Sequence, residues 1–259
     1  MQRAAQEKFL ADLALHAARP LSAASTSSCS GESLQTRLAQ AKRPSSGTAV
    51  RIELNSCELD LLPKMRSVRG VHVDVPLTTQ AASDTTALHQ AIVQSFDGQN
   101  AWPVIAGQTL SGSGRVIAVV DTGVDGSHPA LGTTKVLQGA CFSTASNGGI
   151  GFCPNGASSD TSSANAGRSC VNAMNSRLAA LSAGCGHGTG MAAVAAMDYS
   201  SVATDRGGVA KSAAILPVQV FSASARGAIS ASSGDLLAAI EWITEQARLR
   251  RERGEAPIA

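Results

Sequence analysis

Residues 115–121 read Arg-Val-Ile-Ala-Val-Val-Asp, an apolar run bounded by Gly114 and Gly123. It is too short for an ordinary helix and has no polar face to turn to water. The pattern is that of a strand buried on both faces, as in a parallel sheet covered by helices. Two further candidate strands follow, at 135–142 (KVLQGACF) and 212–222 (SAAILPVQVFS). The segment HGTGMAAVAAM (187–197) reads as a buried helix that begins at His187. The segment 232–252 reads as an amphipathic helix with Leu236, Ile240, Ile243 and Ala247 on one face and Ser233 as its N-cap. Strands alternating with helices predict a doubly wound, mostly parallel α/β sheet. Between its strands, residues 143–186 read as one long loop rich in Ser, Gly, Asn and Cys.

A smaller unit precedes this one. The first 20 residues read as a short amphipathic helix with Phe9, Leu10 and Leu13 on one side. AVRIEL (49–54) and VHVDVPL (71–77) alternate like strands, and CELDLLPKMRSV (57–68) between them reads as a short helix. The expected layout is a small α/β module over 1–78, a linker over 79–89, and a larger α/β unit over 90–259. No internal repeat is visible.

Only 15% of the residues are charged, against roughly 25% in ordinary globular chains. A net charge of +2 gives no reason to expect nucleic acid as a partner. The basic run RLRRERG (248–254) fits a solvated helix end, where cations favour the C-terminal dipole. No window reaches the roughly 20 apolar residues of a membrane span. Glu7, Lys8, Asp12 and His16 interrupt any signal-peptide core at the N-terminus, so no secretion signal is expected in the chain as given. The cysteines point the other way. Cys141, Cys153, Cys170 and Cys185 lie at separations of 12, 17 and 15 residues, with no Cys-x-x-Cys knuckle for zinc. Disulfides are expected, in any of three pairings. Cys29 and Cys57 are left either to pair with each other or to stay free.

Functional groups of a doubly wound sheet gather at the carboxyl ends of its strands. Asp121 ends the first apolar run, and His187 opens a helix beside Gly186 and Gly188. An aspartate that holds a histidine in one tautomer, so that the histidine can deprotonate a nucleophile, is the logic of a serine-protease triad. The rival Asp-Thr-Gly chemistry needs two carboxylates sharing a proton. A second Asp-Thr/Ser-Gly is absent here, and the strand–helix alternation is wrong for it. A dinucleotide site fails on order, since Gly112-Ser113-Gly114 precedes the strand instead of following it.

The wider words resemble a known family. AVVDTGVDGSHPAL is similar to the aspartate motif of the subtilisin-like serine proteases, and GHGTGMAAVAA is similar to their histidine motif. GVAKSAAILPVQVF (208–221) and SGDLLAAIEW (233–242) resemble the strand and helix that follow. The order of Asp before His is that of subtilisin itself. The resemblance covers roughly residues 90–259, and residues 1–78 are similar only in pattern to the family's inhibitory propeptide. It implies a serine endopeptidase with Asp121 as the orienting carboxylate and His187 as the general base. It further implies protein or peptide substrates, an intramolecular propeptide, a monomer, and a secreted or periplasmic home. No cofactor is required; calcium often stabilises the family, but no complete acidic loop commits to a site.

Departures from the family pattern are specific. Gly190 stands where a second His is usual, Met191 for Val, Ala193 for Gly, and Lys211 for Pro. Asp125 and His128 lie in the aspartate motif and read as structural; His16, His72 and His89 have no motif context. The family's Gly-Thr-Ser nucleophile occurs nowhere in the 259 residues, and no serine after His187 has a nucleophile's setting. The expectation is a catalytic domain that is C-terminally incomplete. The alternative is an inactive truncated form acting as a folding or inhibitory partner.

Overall fold

The computed structural model describes residues 2–18, 31–41, 49–78, 104–105, 108–129, 131, 135–145, 148–170, 182–198 and 208–259. The chain divides into two compact units, Met1–Asp74 and Val75–Ala259. The expected linker at 79–89 lies outside the described residues.

The first unit holds α1 (Gln2–Ala18), α2 (Gly31–Gln40) and α3 (Ser56–Leu59), followed by a 3-10 turn at Leu62–Lys64. Leu13, Leu61, Leu62 and Met65 form its buried core, with Phe9, Leu38, Ile52 and Leu54 packed around them. Asn55 caps α3 with a reciprocal capping box to Glu58. Glu58 is itself fully buried and ion-paired with Arg37. The single helix expected over 57–68 is broken in two, because Pro63 lacks the N–H that a continuing helix needs. The two strands expected in this module are also corrected. AVRIEL keeps one isolated bridge, at Arg51, and VHVDVPL forms a strand only at Pro76–Leu77. Alternation makes a strand only where a sheet buries one face. Here Val71, Val73 and Val75 are all exposed, Val73 at 82%. Among the described residues the first unit is helical with irregular connections.

The second unit contains β1 (Pro76–Leu77), β2 (Val104–Ile105), β3 (Gln108–Thr109), β4 (Val116–Asp121), β5 (Ala140–Phe142), β6 (Ile150–Gly151) and β7 (Ser159–Asp160). There follow α4 (Ser182–Cys185), α5 (His187–Ala196), β8 (Ala214–Gln219), β9 (Phe221–Ala223), β10 (Ile229–Ser232) and α6 (Ser233–Glu252). The main sheet has the order β4-β8-β5-β7, with the first three strands parallel and β7 antiparallel at the edge. On the other edge of β4, Val116 exchanges hydrogen bonds with Pro257 and Ala259. Alternate residues of β4 and β8 feed two cores. Ile117, Val119 and Ile215 pack with Ala192 and Ala196 of α5. Val120 and Val218 pack with Ala239, Trp242 and Ile243 of α6. Helices thus cover both faces, the doubly wound arrangement that the apolar run at 115–121 predicts. A second sheet, β1-β10-β9-β6, is antiparallel throughout.

Several boundaries differ from expectation for local reasons. The strand expected over 135–142 starts only at Ala140. Ile215 N–H and C=O pair with Lys135 and Leu137, but the next donor on β8 would be Pro217, which has none. Gly139 also runs so close to β8 that an added Cβ would lie 1.8 Å from the Pro217 carbonyl oxygen. The strand expected over 212–222 splits at Val220 into β8 and β9, which belong to different sheets. The expected loop at 143–186 contains β6, β7 and α4.

Ser232, one residue before the expected Ser233, caps α6 by accepting the Asp235 N–H at 3.0 Å. The buried face of α6 is also rotated from the expected one. Ala239 is fully buried and Ile240 is 50% exposed, because a small residue lets the helix close on the sheet. In α5 one face is buried, through Gly188, Ala192 and Ala196, while Met191 and Val194 are exposed. Lys135 donates through Nζ to the carbonyls of Ala196 and Lys211, so an ammonium group sits at the C-terminal end of α5. Burial pulls its pKa below the usual lysine range. In the basic run, Arg248 pairs with Glu245 and Glu252, and Arg250 and Arg253 pair with Glu255. Among the described residues no helix is long and apolar enough to cross a membrane.

Candidate active site

Asp121 is the last residue of β4 and His187 the first of α5. The 66 residues between them are folded so that His187 Nδ1 lies 2.9 Å from Asp121 Oδ1 and 2.8 Å from Oδ2. Both side chains are mostly buried, at 18% and 13% exposure. An imidazole that donates Nδ1–H to a carboxylate presents Nε2 as a free acceptor. This is the geometry of a base oriented by an acid.

Backbone and hydroxyl groups hold the pair in register. The Thr122 N–H donates to Asp121 Oδ1 at 2.6 Å. Thr122 Oγ1 donates to the Cys185 carbonyl at 3.1 Å and accepts the Gly188 N–H at 3.0 Å. One hydroxyl therefore ties the exit of β4 to both sides of His187. Ser169 Oγ donates to the same Cys185 carbonyl at 2.8 Å, and the Cys170 N–H donates to the Thr122 carbonyl at 3.0 Å. Gly188 is required by this closeness, since a Cβ there would meet the Gly123 carbonyl oxygen at 2.4 Å.

The cysteines pair as Cys141–Cys153 and Cys170–Cys185, one of the three pairings open to the sequence. The second bond joins Cys170, whose N–H donates to the Thr122 carbonyl, to the residue two before His187. Cys170 and Cys185 share a buried cluster with Phe152 and Ala223, with Ile229 packed against it. Cys57 is disulfide-bonded as well, and Cys29 lies outside the described residues. No group of three or more His, Cys, Asp or Glu side chains among the described residues is placed to hold a metal ion.

The other motif residues fall beside the pair. The Asp125 N–H donates to Thr189 Oγ1 at 2.9 Å. Asp125 Oδ1 accepts from Ser127 N–H at 3.0 Å and Ser127 Oγ at 2.5 Å. These bonds hold the Asp125 carboxyl below the usual carboxylate range, against the opposing effect of burial. A cavity of about 360 Å³ opens here, lined by Asp125, His128, Ser169, Thr189, Gly190 and Ala193. His16 Nδ1 contacts the Asp12 carbonyl at 2.8 Å and His72 is exposed, both far in sequence from these motifs. His89 lies outside the described residues. The sequence words mark Asp121 and His187 but assign no part to Thr122, Ser169 or Thr189. Thr122 and Thr189 stand inside the quoted motifs, so the signal was present without a partner to interpret it.

The pair sits where the parallel sheet delivers Asp121 at the carboxyl end of β4 to His187 at the start of α5. The sequence pattern of the subtilase family matches residues 112–248, and the chain belongs to that family. By family it is a serine-type peptidase, and its substrate class is protein. No match was found among curated proteins.

Proposed function

We propose that this chain carries the acid–base half of a serine endopeptidase. Asp121 holds the Nδ1–H of His187, and Nε2 takes the proton of a serine hydroxyl as that hydroxyl attacks a peptide carbonyl. The observation that carries this reading is the contact of His187 Nδ1 with both Asp121 oxygens, at 2.9 and 2.8 Å. The 259 residues contain no Gly-Thr-Ser, so the chain by itself is expected to be inactive.

The reading extends to a zymogen. Pro76–Leu77 pairs antiparallel with β10, Leu77 opposite Ala231. Ile229 of the same strand packs beside Cys185, two residues before His187. This added antiparallel strand, of the kind a bound peptide makes, supports the zymogen reading. Disulfides support an extracytoplasmic home.

The test is the tautomer of His187, read from its ring nitrogens by NMR. Protonated Nδ1 that is lost in Asp121→Ala supports the assignment. Protonated Nε2 would remove the base. In a casein assay the chain should show no turnover; turnover abolished by His187→Ala would overturn the claim that its nucleophile is missing.

A further inference from the structure

Strand β10 receives β1 as an added segment, and the bonds that fix it involve neither Asp121 nor His187. We propose that Asp235 and Thr144 form a clamp that sets β10 against the main sheet, so that β10 can hold an extended peptide in register. They are positioning residues, and the proposal rests on the reading of β1 as a strand of the kind a bound peptide makes.

The register shows why β10 needs such a clamp. β9 pairs with β10 at Ile229, Ser230 and Ala231 and no further. β1 pairs with it at Ala231 and Ser232. Ser232 therefore meets Pro76 with no β9 residue opposite it on the other side. What fixes Ser232 is its place as the N-cap of α6, where its Oγ accepts the Asp235 N–H at 3.0 Å. The end of β10 that β1 uses thus goes where the first turn of α6 goes.

Asp235 ties that turn to the main sheet. It is buried, and it stands at the third position of α6. An acid at that position commonly turns back to the N-cap N–H, as Glu58 does to Asn55. Asp235 reaches instead to a residue 91 positions away: Oδ2 accepts the Thr144 N–H at 2.9 Å and Oδ1 the Thr144 hydroxyl at 2.7 Å. A carboxylate suits the place, since it accepts both donors and complements the positive end of the helix. Thr144 follows closely on β5, which ends at Phe142. Its neighbour Ser143 acts on the other strand, donating through Oγ to the Phe221 carbonyl at 2.6 Å. Phe221 stands opposite Ala231. Consecutive residues at the exit of β5 therefore fix the partner of Ala231 and the cap at Ser232.

Hydrogen exchange, followed by NMR on the full chain, tests the clamp. Pro76 has no N–H, so the Leu77 N–H is the donor that β1 offers to β10. Its exchange should be slowed in the unaltered chain. It should speed up about tenfold in Asp235→Ala, the scale of one hydrogen bond to a charged group. Thr144→Val should also speed it, whereas Thr144→Ser, which keeps the hydroxyl, should not. In all three variants the His187 Nδ1–H resonance should persist, because Thr122 and not the clamp holds that pair. Leu77 exchange unchanged in Asp235→Ala or Thr144→Val, or as fast in Thr144→Ser as in Thr144→Val, would overturn the proposal. Loss of the His187 resonance along with Leu77 protection would overturn it too, as the mark of residues that merely keep the unit folded. If Asp235→Ala does not fold, the two Thr144 variants decide alone. An unprotected Leu77 amide in the unaltered chain would sink the added-strand reading itself, whatever the variants do.

Discussion

Thr122 is fully buried, and its hydroxyl both donates to the Cys185 carbonyl and accepts the Gly188 N–H. Thr122→Val keeps the shape and strands the Gly188 N–H, while the Cys185 carbonyl keeps its bond from Ser169 Oγ. Leaving buried polar groups unsatisfied costs about 1–3 kcal/mol each, so a lowered guanidinium midpoint is expected. The same variant should broaden or lose the His187 Nδ1–H resonance, because Gly188 follows His187 directly. A normal resonance with a lowered midpoint would make Thr122 a stability residue only. The contrast with Asp121 and His187 shows what sequence can carry at this scale. Those two residues announce themselves through neighbours that a strand end and a helix start require. Thr122 acts on a backbone carbonyl 63 residues away, and no local pattern encodes that contact. Gly139 is silent for the same reason, since the carbonyl it admits belongs to Pro217.

Helix α5 positions His187, yet its sequence is poor for a helix. Gly188 and Gly190 both lie in its first turn region. Gly188 cannot change, because the Gly123 carbonyl and the Asp121 side chain occupy its Cβ position. Gly190 faces open space, so Gly190→Ala should stabilise the protein by about 0.8–1.0 kcal/mol, the helix-propensity difference. A higher thermal midpoint checks it; a fall would show that the residue is constrained in a way its surroundings do not reveal. At the level of elements, β4, α5 and α6 were legible because each has a strong period or an uninterrupted apolar run. The misread pieces were those whose state depends on a distant partner. Val71, Val73 and Val75 alternate well but have no sheet to bury them. The buried face of α6 was displaced because Ala239, not the larger Ile240, meets the sheet. Hydrophobicity ranks Ile above Ala, whereas close packing against Ala140 and Val218 favours the small residue.

Across the second unit, two disulfides close loops of similar length, with separations of 12 and 15 residues. Chain entropy alone assigns each on the order of 3 kcal/mol, and the two should differ by only about 0.2 kcal/mol. Their surroundings differ more. Cys141 lies on β5 within the main sheet, while Cys170 and Cys185 bracket the hydrogen bonds that Thr122 and Ser169 make to the Cys185 carbonyl. Paired replacement by alanine separates loop closure from positioning. The Cys141→Ala/Cys153→Ala variant should lose stability in a guanidinium melt and keep the His187 Nδ1–H resonance. The Cys170→Ala/Cys185→Ala variant should lose about as much stability and lose the resonance too, because the carbonyl that anchors β4 to α5 is no longer held in place. If both variants keep the resonance, Thr122 and Ser169 suffice to hold His187 against Asp121, and the second disulfide serves stability alone. If both lose it, the pair depends on the integrity of the whole sheet and not on the anchor at Cys185.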